Sequence, residues 1–298
     1  MKNFIIQVFK YGLFVLILSN AISFLANYFL RNSFFYKSTS IVNQFKKGEE
    51  FDYVVAGSSR GLTTIDTELL DENLATKGYN LSMDDTGLPS HLLMIQHFFE
   101  SGFSAKRCIL VLDEFHFERS PDGISGNDYR MAPFASRQYV KEYFFNREEG
   151  VIKPLALAGY FPALAFSYYN SELITASIIA GFRPTYRHRF DEFGNYSYPN
   201  FSLPESEKAN KTTSVTKSVN NPLLVFLQDY LKKRNCELLI YIAPYQYKDL
   251  DIKNPLHFSI IDDSRLLTDK TLFFDPIHVT ERGKKQATLS LADRLKAL

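Results

Sequence analysis

Four short apolar runs, at 52–56, 78–82, 108–112 and 238–243, alternate with stretches of helical periodicity. That rhythm constrains the fold more than any other feature of the chain. Leu62, Ile65, Leu69 and Leu70 recur at helical spacing after the first run. Leu92, Leu93, Ile95 and Phe99 follow the second, behind a proline, Pro89, that suits a first helical turn. Leu224, Phe226, Leu227 and Leu231 precede the fourth. Apolar runs of strand length, separated by amphipathic helices, read as parallel strands buried on both faces. The expected fold class is α/β: a three-layer, flavodoxin-like domain with a mostly parallel sheet over residues 51–298. A short last strand is expected at Leu272–Phe274 and a closing helix from Gly283 to Leu298.

The rhythm lapses between residues 114 and 210, where aromatics, prolines and glycines crowd and periodicity is patchy. Leu155–Ala165 and Leu173–Ile179 read as short helices. This stretch is expected to be an insertion or cap over the C-terminal edge of the sheet, shaping a cleft.

From Tyr11 to Leu30 no residue is charged. Twenty helical residues reach about 30 Å, the thickness of a hydrocarbon core. Residues 5–30 are therefore expected to form one continuous helix that enters a bilayer and projects from the globular part, with 1–30 as anchor and 31–50 as a polar linker. A cleaved signal peptide competes, although Ser19-Asn20-Ala21 makes a poor cleavage site. A buried core helix is disfavoured by the lack of a polar face. The favoured topology is single-pass in the inner (cytoplasmic) membrane, with the domain on the extracytoplasmic side.

Composition excludes little else. Lys and Arg number 34 against 33 Asp and Glu, so there is no electrostatic case for nucleic acid. Cys108 and Cys236 each stand at the head of an apolar run. Two buried thiols on neighbouring strands is the plainer reading, and a disulfide the alternative in an oxidising compartment. The remaining histidines show no metal-ligand spacing, and neither cofactor nor metal is expected.

Two short motifs carry chemistry. Gly57-Ser58-Ser59-Arg60 stands where the first strand hands over to a helix. A serine there can be a nucleophile, with N–H groups of the helix start facing a developing oxyanion; the plainer role is an N-cap. Asp275-Pro276-Ile277-His278 sets a carboxylate three residues before an imidazole, so that the aspartate can reach back to the ring. Its plainer role is a capping aspartate beside a surface histidine. Taken together, the motifs supply nucleophile, orienter and base in the order Ser…Asp…His. Arg60 can hold an anionic substrate group or anchor the turn, and anchoring is the favoured role. Asp113 and Glu114 at a strand end can orient a substrate hydroxyl or cap the next segment, and neither is given a catalytic role.

On these residues the chain resembles the SGNH/GDSL hydrolases, and within them the membrane-anchored branch of alginate O-acetylation proteins and the teichoic acid D-alanine transfer protein. The family's Gly-Asp-Ser block corresponds to Gly57-Ser58-Ser59, which makes Ser59 the implied nucleophile. Its Asp-x-x-His block corresponds to Asp275-Pro276-Ile277-His278. Its second block is similar to Tyr79-Asn80-Leu81-Ser82 with Gly87, so Asn80 and Gly87 become candidates for the oxyanion or substrate contacts. At the third block the family's asparagine is missing; the strand ends in Leu112-Asp113-Glu114-Phe115-His116. The resemblance implies serine-dependent O-acyl transfer to, or hydrolysis from, an envelope or exported polysaccharide. It also implies a glycan substrate and a multi-span membrane protein that delivers the acyl group. A catalytically inactive glycan-binding or assembly protein of the same fold is the alternative, and an unrelated α/β domain in which both motifs are ordinary caps is the third.

Overall fold

The structure is a computed structural model that describes residues 1–119, 123–203 and 212–297. In chain order the first elements are α1 (Lys2–Arg31), α2 (Lys37–Gln44), β1 (Glu50–Gly57), α3 (Ser59–Thr64), α4 (Thr67–Leu74) and β2 (Gly78–Asn80). Then come α5 (Leu88–Glu100), β3 (Ser104–Val111), α6 (Gln138–Arg147), α7 (Pro154–Leu157), α8 (Ala163–Tyr169) and α9 (Ser171–Phe182). The last are β4 (Thr213–Ser218), α10 (Pro222–Lys232), β5 (Glu237–Ile242), β6 (Lys248–Lys253), β7 (Ile260–Asp262) and α11 (Glu281–Lys296). They fall into two compact units: Met1–Phe45 with Asp128–His188, and Lys46–Asn127 with Arg189–Leu298.

The second unit holds a five-stranded sheet in the order β2-β1-β3-β5-β7, with every pairing parallel. Counted along the sheet that is 2-1-3-4-5, the order of doubly wound α/β folds. Alternate residues of each strand serve opposite faces. Tyr53, Val55, Ile109, Val111, Leu239 and Tyr241 meet Ile65, Leu70 and Leu291 of the α3, α4 and α11 layer. Helices α5 and α10 pack against β1 and β5. Gly57, the last residue of β1, is held to glycine by close approach: a Cβ there would stand 2.9 Å from the Val111 carbonyl oxygen. A separate parallel pair joins β4 to β6.

Three local expectations are corrected. Leu272–Phe274 is no strand; Lys270–Leu272 forms a 3₁₀ turn and Phe273 makes only an isolated antiparallel bridge to Val279. The fifth strand of the sheet is Ile260–Asp262, too short and too flanked by polar residues to stand out in the sequence. The helical spacing of Leu62, Ile65, Leu69 and Leu70 runs across two helices, because Asp66 leaves helical geometry and caps α4 through the Leu69 N–H. Cys108 lies within β3 and Cys236 just before its paired strand β5, and both thiols are free and buried.

The first unit is helical. In α1, residues 1–18 are exposed throughout, and the C-terminal part packs beside α8 and α9. This helix is long and apolar enough to cross a membrane, with mean hydropathy 1.9 over its best window. That supports a membrane-anchored topology. The 31–50 stretch departs from a solvated linker: Phe35, Tyr36 and Ile41 are buried, and α2 fills much of it. The expected insertion at 114–210 is divided between the units. Its middle, 128–188, belongs with α1, and its flanks belong with the sheet. Residues 120–122 and 204–210 of that insertion lie outside the described residues.

Candidate active site

The sheet's strand order reverses at β1, between β2 and β3, and ligands of doubly wound folds bind at such a point beyond the carboxyl ends of the strands. Here those ends supply Ser58, Ser59 and Arg60 after β1, Asp85–Gly87 after β2, Asp113 and His116 after β3, and Tyr245 after β5. Together with Ile277 they line a cleft of about 340 Å³.

Ser58 and Ser59 face different partners. Ser58 is the N-cap of α3: its Oγ accepts the Arg60 N–H at 3.2 Å and donates to Asp113 Oδ2 at 2.5 Å. Ser59, one residue on and half-buried, lies with its Oγ 2.8 Å from Nε2 of His278. On the other side of that ring, Nδ1 is 2.7 Å from Asp275 Oδ2. The remaining Asp275 oxygen accepts the backbone N–H groups of Ile277 and His278, each at 2.9 Å. One aspartate thus folds its own loop and aims the imidazole. Burial works against the Asp275 charge, but the His278 ring and those backbone donors outweigh it and hold the carboxyl below its usual range. The loop is pinned from outside as well. Phe274 N–H donates to the His278 carbonyl at 2.8 Å, and Gln246 N–H to the Pro276 carbonyl at 3.1 Å. Tyr198 lies against the imidazole with ring centroids 5.3 Å apart, and it stacks on Phe274 at 4.3 Å.

A serine hydroxyl, an imidazole and a carboxylate bonded in this order can move the serine proton to Nε2 while the carboxylate steadies the ring. The Ser59 N–H, first of α3, has no hydrogen-bond partner among the described residues and stands beside that hydroxyl.

The other sequence candidates are placed differently. Asn80 is fully buried and spent on the fold: its amide donates to the Gly61 carbonyl at 3.0 Å, and its oxygen accepts the Ser82 N–H at 3.0 Å. It is a positioning residue for the loop after β2 rather than an oxyanion donor. Gly87 lines the cleft, but its N–H donates to Ser125 Oγ at 3.0 Å. Arg60 is an anchor. Its guanidinium donates to Asp113 at 3.2 Å and to the carbonyls of Ala243, Pro244 and Ile277 at 2.6, 2.8 and 3.2 Å. It also lies 3.5 Å from the centroid of the Tyr245 ring. The ends of β3 and β5 and the Asp275–His278 loop are thereby tied to the residue after the serine.

Sequence reasoning left Asp113 between orienting a substrate hydroxyl and capping, and missed that it holds both Ser58 and Arg60. It also passed over Tyr198 and Tyr245. Position after a strand was the available signal for Asp113 and Tyr245; nothing in the sequence marks Tyr198. His91 sits behind the cleft, its ring centroid 6.0 Å from that of His116, which lines it. Burial, and then the His116 ring, push the His91 imidazole down to about 3 against the weaker pull of Asp113 and the Thr86 backbone.

No family model matches this chain, and no curated protein matches it.

Proposed function

We propose that the protein is a membrane-anchored serine acyltransferase or esterase of SGNH type, acting on O-acyl, most simply O-acetyl, groups of a cell-envelope or exported polysaccharide. The observation that carries the reading is the bonded chain from Ser59 through His278 to Asp275. Ser59 Oγ attacks the acyl carbonyl as His278 Nε2 takes its proton. The tetrahedral intermediate collapses, the bond to the leaving alkoxide breaks, and His278 returns the proton to that oxygen. Water or a sugar hydroxyl then attacks the acyl-serine, giving its proton to Nε2, and Ser59 is released with its own proton restored. Asp275 stays ionised and orients the ring throughout.

The apolar helix α1 supports a substrate modified at a membrane. The proposed location is the inner membrane, with the sheet domain on the extracytoplasmic side. In the transferase case a multi-span membrane protein delivers the acyl group and the glycan is the acceptor. Exposed Phe115 in the cleft lining and half-buried Tyr198 against the imidazole favour a sugar as the neighbour of the reacting group. The carboxylate Asp113 stands where an amide donor is expected in the resembled family. That favours a second reading, a glycan-binding protein of the same fold without turnover.

A fluorophosphonate probe separates the two. Covalent labelling of the full chain that is lost in Ser59→Ala supports catalysis. Absence of labelling in the native chain, with retained glycan binding, supports the second reading.

A further inference from the structure

A patch of apolar surface lies in the helical unit. Between Lys153 and Arg183 the only charged residue is Glu172, and α9 carries none after it. One side of α9 is buried through Leu173, Ala176, Ser177 and Ala180. Ile174, Ile178 and Phe182, spaced four apart on another face, are exposed by 48%, 55% and 85%. A helix apolar on all sides is at home in a core or a membrane, and at twelve residues α9 is too short to span.

Its exposed stripe continues a surface that already needs lipid. Helix α9 packs along the C-terminal third of α1, where a Cβ on Gly181 would stand 3.5 Å from the Phe29 ring. The Phe34 N–H donates to the Pro184 carbonyl at 2.7 Å, tying together the segments that follow each helix. Leu30-Arg31 and Phe182-Arg183 give both helices the same ending, an apolar residue followed by arginine. Between them runs a groove of about 590 Å³, lined by Ile22, Leu25 and Phe29 of α1 and by Ile174, Ile178 and Phe182 of α9. The polar side chains in its lining are serines of those two helices, and no charged group enters it. The α1 residues in that groove belong to the helix with the length and apolarity to enter a bilayer, so what bathes one wall bathes the other.

We propose that α9 is a second lipid-contacting helix, inserted beside α1, with bilayer acyl chains filling the α1–α9 groove and covering the Ile174–Ile178–Phe182 stripe. Exposed Tyr160 and Tyr168, before α9, supply the amphipathic rings that settle at a membrane–water boundary. The chain is thereby held to the membrane by a surface and not by a single helix alone. This proposal rests on α1 lying in a bilayer, and its test separates the two.

The full-length chain, reconstituted in phosphatidylcholine vesicles, receives an environment-sensitive nitrobenzoxadiazole label at Ile178→Cys; both native cysteines are buried. Ile174→Cys and Phe182→Cys repeat the measurement along the stripe. Phe14→Cys on α1 and Phe226→Cys on α10, both exposed apolar positions, serve as references. The expected result is loss of most emission at 178 with acyl-chain-brominated lipid and shielding from aqueous iodide, as at position 14. If 14 behaves so while 178 is quenched by iodide like 226, the proposal is overturned and the α1 anchor stands. If 14 is also open to iodide, α1 is not in lipid and both fall. If 178 is shielded from iodide and insensitive to brominated lipid, and the unlabelled Ile178→Cys chain forms 178–178 disulfide dimers, a second copy covers the stripe and the proposal is overturned.

Discussion

Ser58 Oγ donates to Asp113 Oδ2 at 2.5 Å, while its neighbour Ser59 lies 2.8 Å from His278 Nε2. Adjacent serines are thus assigned to two tasks. One closes the strand-to-helix turn, and the other meets the imidazole. Ser59→Ala is expected to abolish fluorophosphonate labelling and to leave the melting temperature nearly unchanged, because a half-buried hydroxyl is all that is lost. Ser58→Ala is expected to keep labelling but to destabilise the fold by about 1–3 kcal/mol, from the lost cap and the lost bond to a carboxylate. Labelling by gel fluorescence and thermal unfolding in detergent check the pair. The opposite assignment would exchange the two phenotypes.

Asp275→Asn tests the orienting role. The side-chain amide keeps an oxygen for the Ile277 and His278 N–H groups, so the loop survives. It offers the ring an N–H where Nδ1–H needs an acceptor, and the imidazole turns to the wrong tautomer. The rate of probe labelling is expected to fall by about 10³–10⁴-fold at pH 7. Recovery toward higher pH, where hydroxide reduces the need for a general base, accompanies it. A loss below tenfold would show that the carboxylate is a loop cap and nothing more.

Much of this arrangement was legible because it depends on local chemistry. Apolar runs bounded by Gly57 and Pro244 announced parallel strands. The Asp275–His278 spacing announced a ring that its own loop can orient. What was hidden depends on distant partners. β7 is three residues long and takes its place by pairing with β5. Asn80 looks like a donor at a strand end until the loop carrying Gly194 closes over it. That glycine has φ +82°, and a Cβ there would lie 2.2 Å from the Asn80 carbonyl oxygen. The role of Tyr198 follows from a chain return that no periodicity records. The stretch around α2 reads polar by composition, yet its serines and threonines are buried and bonded within the helical unit; Ser33 Oγ, for one, donates to the Leu30 carbonyl at 2.8 Å.

Arg60 is expected to be a stability residue first. It is 2% exposed and holds Asp113 and the carbonyls of three other residues. Removing one member of a buried ion pair costs about 3–5 kcal/mol. Arg60→Gln is therefore expected to lower the melting temperature sharply. Arg60→Lys is expected to recover only part of the loss, since one ammonium cannot span the positions of a guanidinium fork. In a double-mutant cycle with Asp113→Asn the losses are expected to be less than additive. Additive losses would mean that the pair is not coupled.

The His91 imidazole, fully inside the unit and pushed down to about 3 from its usual 6.5, makes an acid-sensitive element of the core behind the cleft. It meets the His116 ring, itself pushed down by burial, while Asp113 pulls weakly the other way. The folded chain therefore binds a proton at His91 less readily than the unfolded chain. Between pH 6.5 and about 3 the unfolded state carries a proton that the folded state refuses, so stability rises with pH across that window. The contribution is complete above 6.5 and is lost on acidification, by at most about 1.4 kcal/mol for each pH unit. Replacing the ring with one of similar size and no basic nitrogen removes this dependence. His91→Phe is expected to be modestly altered at pH 7.5, from the change in shape, but to lose less stability than the native chain between pH 6.5 and 4.5. His116 keeps a residual slope in both proteins. Thermal midpoints of the full chain in detergent at half-unit pH steps measure it. Parallel curves for native and variant would show that His91 is not the group that acid must charge to open this core.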